Sequence, residues 1–319
     1  MAQDGAHVEM TASVEKRNVF PVEGASPVPA RGEGASPVPA RGEPSIGAIL
    51  VRAGRLSIED AGRVLRLQRE QDLRFGEAAI KLELLTQEDI EFALAHQFDR
   101  PYLVRGDSDV SEQVVTAYDP LSRQAEALGR LRTELMLRWF DGSPGRNALA
   151  IVSAERGDGR SFLAANLAVA FSQLGQTTLL IDADMRNPTQ HILFNLGNRS
   201  GLSTMLSGRG QRGASIWQVP GLPGLSIMPA GAAPPNPADL LARPVFEQLL
   251  SEMAQEFEVV LFDSAPAAEY ADARAIAVRC GAALLVARKN ATHVWRMRSV
   301  SEALTDARTI ILGAVLNDF

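Results

Sequence analysis

A glycine-rich turn in the second half of the chain has the composition of a phosphate-binding loop. An apolar run leads into SAERGDGRS and then into a helical pattern. Backbone N–H groups of such a turn and of the following helix N-terminus can surround phosphate oxygens. Gly157, Gly159 and Ser161 match the end of the loop pattern, whereas Arg160 replaces the usual lysine and Ala154 the first glycine. Arg160 keeps the positive charge in a planar fork of donors. The alternative is a plain strand-to-helix connection.

Two carboxylates follow the next apolar run, in LLIDADMRNP. Asp182 and Asp184 flank one residue at the carboxyl end of a predicted strand, which is where ligands bind in an open α/β sheet. Acids on alternate residues project to the same side of the chain and repel each other unless a cation neutralises them. Magnesium with its water shell is such a cation. The alternative is a pair of exposed acids in a loop.

A third acid, Asp263, ends the apolar run VVLFDSAP. Its place at a strand end suits it to hold magnesium or a metal-bound water, with the Ser161 hydroxyl as a further ligand. The alternative is that Asp263 caps the next helix. Together the three motifs predict a site for ATP with magnesium in residues 146–319.

Alternating strands and helices must position these residues. The predicted strands are short apolar runs separated by helical periodicity: LAIVSA, TLLIDA, LSIMPA, VVLFDS, ALLVAR and ILGAVLN. Such alternation predicts an α/β domain whose mostly parallel sheet is covered by helices on both faces.

The first half of the chain has a different organisation. Residues 1–44 contain GASPVPARGE twice in succession and almost no large apolar residues, so we expect disorder. Residues 105–145 form a connector with one predicted helix, 121–140, before the turn-forming DGSPG.

Between these segments lies a tandem repeat, which predicts a small helical domain over 45–104. The units 45–68 and 74–97 have equal length and align without gaps. Each has an N-cap signal in its middle, Ser57 in the first and Thr86 in the second, which predicts a short helix followed by a longer one. Neither unit can bury its apolar face alone, so the two should pack together.

The repeat resembles the N-terminal domain of type II secretion and pilus ATPases, whose tandem motifs bind cyclic di-GMP. The family motif opens with Arg-Leu-Gly. The second unit has RFG there, at 74–76, whereas the first has SIG, at 45–47. The glycine in the middle of the motif is kept as Gly54 in the first unit but is Glu83 in the second. A lost cation and an added carboxylate both oppose an anionic ligand. Cyclic di-GMP is therefore one hypothesis for this domain, and protein docking is the alternative.

The stretches VSAERGDGRS, LLIDADMRNP and VVLFDSAP, in this order and spacing, resemble the Walker A, A′ and B motifs of bacterial tyrosine kinases. PAGAAPPNPADLL (229–241) and VLN (315–317) agree with that family. With the repeat domain in front, residues 45–319 resemble the exopolysaccharide chain-length determinant kinases of the EpsG type, which occur with a membrane polysaccharide co-polymerase. The resemblance implies a P-loop NTPase fold of the MinD and ParA kind and ATP-dependent tyrosine autophosphorylation that regulates polysaccharide chain length.

The resemblance also implies roles for the motif residues. Ser161, Asp184 and Asp263 would place magnesium. Arg160 would bridge the β- and γ-phosphates, and Asp184, with Asp182 beside it, is alternatively the group that helps to deprotonate a tyrosine. The implied nucleotide-binding residues are Arg156, Gly157, Asp158, Gly159, Arg160, Ser161, Phe162, Arg186 and Asn317. Of these, Asn317 would contact adenine, and Arg186 is either a phosphate contact or a surface partner of the acids.

Two departures from that family keep other functions open. The chain has no tyrosine-rich tail, and its tyrosines are Tyr102, Tyr118 and Tyr270. Gly129 stands where the family's self-association helix carries an arginine, so a homo-oligomer is less strongly indicated. One alternative is an ATP-controlled scaffold that docks on the co-polymerase without phosphorylating tyrosine. Another is a ParA- or MinD-like ATPase, although Glu155 occupies the position of their signature lysine.

Composition limits the remaining classes. A net charge of −6 with intermixed signs provides no basic stripe for nucleic acid. No apolar run approaches the roughly 20 residues that span a bilayer. A single cysteine, Cys280, suits a reducing compartment. We expect a cytoplasmic protein that reaches the inner membrane through its partner.

Overall fold

The computed structural model describes residues 7–9, 45–97, 101–120, 122–198 and 200–318. They belong to two compact units, and the chain passes from one to the other between Arg100 and Pro101. The boundary predicted from the sequence lies slightly later, at 104. Leu103 explains the difference, because its N–H donates to the Ala117 carbonyl and its side chain joins the core of the larger unit.

The smaller unit has the predicted short and long helices, twice. They are α1 (Ile46–Arg52), α2 (Ile58–Gln71), α3 (Phe75–Lys81) and α4 (Gln87–Gln97). The predicted caps are present, since the Ser57 hydroxyl accepts the Asp60 N–H at 3.0 Å and the Thr86 hydroxyl accepts the Asp89 N–H at 3.2 Å. A single apolar cluster with Leu50 and Val64 at its centre joins the two repeats.

Equivalent turns in the two repeats have the same unusual backbone. Gly54 has φ of 71°, and Glu83, at the matching position, has φ of 54°. Only glycine adopts this left-handed region without penalty, so Glu83 keeps the turn at a cost of roughly 1 kcal/mol. The turn therefore has the same geometry in both repeats, although one has glycine and the other glutamate at this position.

The larger unit is the predicted α/β domain. Its helices are α5 (Val115–Tyr118), α6 (Arg123–Arg138), α7 (Arg160–Ser172), α8 (Gln190–Leu193), α9 (Leu202–Leu206), α10 (Arg212–Ser215), α11 (Pro237–Ala242), α12 (Pro244–Glu256), α13 (Asp272–Cys280) and α14 (Val294–Asp306). Its strands are β1 (His7–Glu9), β2 (Ala148–Ser153), β3 (Thr178–Asp182), β4 (Trp217–Gln218), β5 (Leu225–Met228), β6 (Val259–Asp263), β7 (Ala282–Arg288) and β8 (Ile310–Asp318).

The strands form one sheet in the order β1-β8-β7-β2-β6-β3-β5-β4. The six predicted strands are all present and pair in parallel, whereas β1 and β4 add antiparallel edges. The strand β1 lies within the segment 1–44 for which we expect disorder, and the rest of that segment lies outside the described residues.

Helices cover both faces of this sheet, so alternate residues of a strand pack into two separate cores. Along β2, Leu149 and Ile151 pack into the cluster that includes α6 and α7, whereas Ala150 and Val152 pack into the cluster on the opposite face. All six residues of β2 are buried. This pattern is typical of parallel strands with two covered faces.

The predicted connector 105–145 is part of the cover of the sheet. Ser122 caps α6 through the Ala125 N–H, and Arg132 on α6 donates to the Ala170 carbonyl at 2.8 Å. On α7, the buried Asn166 side chain accepts the Thr116 N–H at 2.9 Å. In the part of the chain that the structure describes, no helix has the length and apolar character needed to span a membrane.

Candidate functional site

The glycine-rich turn between β2 and α7 has a backbone that its glycines make possible. Gly157 and Gly159 have φ of 84° and 91°, in the left-handed region. The turn is closed by Asp158, whose carboxylate accepts the Glu155 N–H at 2.9 Å and the Thr292 hydroxyl at 2.6 Å. The result is a preformed loop whose backbone opens onto the N-terminus of α7, as a phosphate-binding site requires.

Arg160, the first residue of α7, lies against the base of this loop. Its Nε donates to the Ser264 carbonyl at 2.8 Å, and its Nη1 donates to the Glu155 carbonyl at 2.9 Å and to the Ser153 hydroxyl. Its Nη2 lies 3.9 Å from Asp184 Oδ2, beyond hydrogen-bonding distance. The protein thus holds the guanidinium by two nitrogens and leaves the third for another acceptor. The predicted phosphate contact of Arg160 stays a prediction.

The predicted acids come together at the carboxyl ends of neighbouring strands. Asp182 on β3 and Asp263 on β6 are partners in the parallel register, and Asp184 lies two residues beyond the end of β3. Asp182 and Asp263 are fully buried, and Asp184 is 6% exposed. The alternative of exposed loop acids is therefore wrong.

Most of the oxygens of Asp182 and Asp184 bind backbone. Asp182 Oδ2 accepts the N–H groups of Thr189 and Gln190 at 2.8 and 2.9 Å, which caps the start of α8. Asp184 Oδ1 accepts the N–H groups of Arg186 and Asn187 at 3.2 and 2.9 Å. Asp182 thus orders the loop that follows β3, and Asp184 Oδ2 faces Arg160.

Only one of the two carboxylate oxygens of Asp263 has a hydrogen-bond partner among the described residues. Its Oδ2 accepts from Gln190 Nε2 at 2.8 Å, whereas its Oδ1 is buried without a hydrogen-bond partner among the described residues. Burial raises its pKa, the repulsion from Asp184 adds to this, and Arg160, the Ser161 hydroxyl and Gln190 oppose it. Burial, followed by repulsion from Asp263, raises the pKa of Asp182 well above its ordinary value. An additional cation would relieve both effects.

The donors present fit magnesium. A buried carboxylate oxygen of Asp263, the Ser161 hydroxyl and Asp184 Oδ2 are the hard oxygen ligands that this ion prefers. The described residues contain no group of three or more His, Cys, Asp or Glu side chains arranged as a metal site. Magnesium typically uses few protein ligands and keeps water and phosphate oxygens, so this sparse donor set suits it.

Known proteins are similar to this chain in sequence. Residues 147–315, more than half of the chain, match the family described as "Cellulose biosynthesis protein BcsQ". Tyrosine-protein kinase YwqD of Bacillus subtilis is 32% identical over 210 residues, which are 66% of this chain and 87% of that protein. The putative tyrosine-protein kinase CapB of Staphylococcus aureus is 33% identical over 62% of this chain and 86% of that protein. The chain belongs to the bacterial tyrosine kinase family.

Solved structures agree with this family assignment. The kinase domain of Escherichia coli tyrosine kinase ETK has a TM-score of 0.61 and 31% identity over 68% of this chain and 84% of that one. The chimerical protein CapA2B2 has a TM-score of 0.61 and 29% identity over 72% and 98%. The predicted P-loop fold and the assignment as a protein-tyrosine kinase are thus confirmed. The EpsG type and the kinship of the repeat unit stay predictions.

In this bacterial tyrosine kinase, Arg186 does not pair with Asp182 or Asp184 through its side chain. Its Nε donates to Asp272 Oδ2 at 2.8 Å and its Nη2 to Asp272 Oδ1 at 3.3 Å, so it forms a fork at the start of α13. The guanidinium also lies 4.1 Å from the centre of the Tyr270 ring. The alternative of a surface partner to the first two acids is therefore wrong, and the phosphate contact stays a prediction.

The other predicted nucleotide contacts lie around the kinase loop. Asn317 on β8 is buried, and its side-chain amide donates to the Asp158 carbonyl at 2.7 Å. Arg156 is exposed at the tip of the loop, and Phe162 is half-buried on α7. Asn317 thus supports the loop, and its contact with adenine stays a prediction.

Sequence reasoning missed Gln190 of the kinase site. Its Nε2 donates both to Asp263 and to the Ser161 carbonyl, while its Oε1 is buried and accepts no hydrogen bond from the described residues. No loop or strand motif marks this position, because its partners are 29 and 73 residues away. Gln190 is the first residue of the helix that Asp182 caps, and a polar side chain at this position was the one available signal.

Proposed function

We propose that this chain is an ATP-dependent protein-tyrosine autokinase that regulates exopolysaccharide chain length together with a membrane co-polymerase. The observation that carries the proposal is the buried Asp263 Oδ1, which no described residue hydrogen-bonds, next to Ser161 and Asp184 and beneath a glycine-rich loop. A fully buried carboxylate in this state needs a cation to stabilise its charge. Magnesium bound with the phosphates of ATP is the cation that suits this family.

Phosphoryl transfer requires position and charge more than covalent chemistry. In the proposed site the loop N–H groups and Arg160 hold the β- and γ-phosphates, and Ser161 and Asp263 hold magnesium. When bound, the metal ion neutralises charge on the phosphate oxygens. Asp184 Oδ2 accepts no hydrogen bond from the described residues and lies beside Arg160, so we assign it the proton of the incoming tyrosine hydroxyl.

The cellular role is inferred from relatives. The matched proteins include a putative tyrosine-protein kinase EpsB of Ralstonia solanacearum, 34% identical over 195 residues. We place this chain on the cytoplasmic side of the inner membrane, with a co-polymerase and further copies of the chain as its partners. The match to the CapA2B2 chimera supports a search for such a complex.

Labelled ATP tests the proposal. Purified full-length chain is incubated with magnesium, γ-labelled ATP and the cytosolic part of the co-polymerase, and phosphotyrosine is measured. Label that disappears in Asp184→Asn, while nucleotide binding persists, supports the kinase. Nucleotide binding without any label on tyrosine contradicts the kinase function and favours the ATP-controlled scaffold. Steady ATP hydrolysis without label on tyrosine favours a ParA- or MinD-like ATPase.

Cyclic di-GMP at the repeat unit remains a separate hypothesis. A groove of about 670 Å³ opens between the helices of this unit. None of its lining residues carries a charge: Ser45, Ile46, Gly47, Ala48, Val51, Ile58, Ala61, Leu65, Gln68 and Phe75. A dianionic ligand would find no cation among them, so we expect calorimetry of the full chain with cyclic di-GMP to show no binding heat. A saturable binding heat would instead support cyclic di-GMP as a ligand of this unit.

A further inference from the structure

The three tyrosines of the chain differ in the accessibility of their hydroxyl groups. The Tyr102 oxygen is buried. Tyr118 is buried and donates its hydroxyl to the Val110 carbonyl. Tyr270 is half-buried, and its hydroxyl is neither enclosed nor hydrogen-bonded to any described residue. A phosphate group needs space and solvent, so only Tyr270 can accept one without a rearrangement of the core.

Tyr270 also lies at the rim of the nucleotide site. It follows the end of β6 in sequence, seven residues after Asp263 and two before the first residue of α13. Its ring stacks on the guanidinium of Arg186, whose backbone N–H in turn binds the Asp184 carboxylate. The phenol is thereby attached to the loop that carries the predicted catalytic acid.

The Arg186 guanidinium beside this ring could bind a phosphate group. Arg186 is held by both oxygens of the buried Asp272, and its side chain remains 29% exposed. Asp272, Tyr270 and Asp184 all raise the pKa of Arg186, Asp272 most strongly, so the guanidinium stays charged. The planar fork of arginine donors matches phosphate as well as carboxylate geometry, so a phosphate can compete for it.

We propose that Tyr270 is a phosphorylation site of this chain, and that its phosphate binds Arg186 in competition with Asp272. The proposal rests on the proposed kinase function and names one acceptor tyrosine for it. The Tyr270 oxygen forms a bond to the γ-phosphorus of ATP, and the bond from that phosphorus to the β,γ-bridging oxygen breaks. The products are ADP and phosphotyrosine, and the hydroxyl proton leaves to a carboxylate or to solvent.

Such a phosphate would act on the site through Arg186. A dianion next to the guanidinium attracts it away from Asp272. Asp272 would then be a buried carboxylate without its cation, which disfavours the start of α13 as it is now packed. Phosphorylation of Tyr270 therefore favours a change in the loops at the rim of the nucleotide site.

The test maps the phosphorylated residue and measures kinase activity separately. Full-length chain and the Tyr270→Phe variant are incubated with ATP, magnesium and a poly(Glu-Tyr) polymer as an external acceptor. Phenylalanine keeps the ring on Arg186 and removes only the hydroxyl, and Tyr102→Phe is the matched control. We expect mass spectrometry to find phosphate on Tyr270, and the chain's phosphotyrosine to be lost in Tyr270→Phe but not in Tyr102→Phe.

The external acceptor separates the two possible failures. Labelled polymer with unmodified Tyr270, or undiminished label on the Tyr270→Phe chain, overturns the assignment of Tyr270 and leaves the kinase function intact. Absence of label on both the polymer and the chain overturns the kinase function and, with it, the inference that rests on it.

Discussion

The Nε2 of Gln190 lies 2.8 Å from Asp263 Oδ2 and 3.1 Å from the Ser161 carbonyl. One amide thus joins the loop after β3 to the P-loop helix and to the strand that carries the buried acid. It holds one oxygen of Asp263 and leaves the second, Oδ1, without a hydrogen bond from the described residues. Positioning of this carboxylate depends on a residue outside every nucleotide-binding motif.

Replacement of Gln190 by alanine should weaken the response to magnesium. The variant removes the amide donor to Oδ2 of the buried Asp263 carboxylate, and the loss of such a hydrogen bond costs about 1–3 kcal/mol of stability. We expect a higher magnesium concentration for half-maximal phosphorylation. Gln173→Ala is the matched control, because its amide donates to the carbonyls of Pro101 and Thr116, away from the acids. An equal magnesium shift in both variants would contradict a positioning role.

Arg160→Ala should weaken ATP binding. Charge-assisted hydrogen bonds contribute about 1.5–3 kcal/mol, so a lost phosphate contact corresponds to about 10- to 100-fold in affinity. Isothermal calorimetry with a non-hydrolysable ATP analogue measures the change. Arg298→Ala, which removes an exposed cation of α14, should leave affinity unchanged. Wild-type affinity in Arg160→Ala would show that this arginine only supports the loop backbone.

Asp263→Asn should stabilise the metal-free protein at neutral pH. Burial raises the pKa of this carboxyl above its ordinary 3.8, so the folded chain holds a proton that the unfolded chain releases as pH rises. Stability therefore falls as pH rises from 3.8 to the pKa of the folded state, by about 1.4 kcal/mol per pH unit across that window. The variant's advantage should be full above that window and absent below it.

Thermal melts of both proteins across this pH range, without metal, measure the difference. Magnesium with nucleotide should then stabilise the wild type more than Asp263→Asn, because only the wild type retains the carboxylate. Equal metal-dependent stabilisation of the two proteins would argue against Asp263 as a metal-holding residue.

Gly129→Ala should stabilise the protein. Gly129 lies inside α6, and a Cβ there would meet no atom within 4 Å. Alanine in a helix interior is favoured by about 0.5–1 kcal/mol over glycine. Urea denaturation should show this gain. Gly201→Ala is the contrasting variant, because its Cβ would lie 2.0 Å from the Pro229 carbonyl oxygen and should destabilise. A loss of stability in Gly129→Ala would show that glycine has a structural role in α6.

The sequence by itself was sufficient for the features that depend on local pattern. Continuous apolar runs identify the parallel strands, most clearly β2, β3 and β6, because a strand buried on both faces needs apolar residues throughout. The loop glycines and the strand-end acids identify the site, because parallel strands bring their carboxyl ends to one edge. The helical repeat follows from its equal spacing and its Ser57 and Thr86 caps.

Only the tertiary structure decided which side chains meet. The edge strand β4 has just two residues, both exposed, and carries too little pattern to be recognised. Arg186 binds Asp272, 86 residues away, and Gln190 binds Asp263, 73 residues away. Such partners depend on the packing of separate loops above the sheet, and no local periodicity records that packing. The sequence therefore indicates where ATP chemistry occurs, and the fold decides which neighbours control its charges.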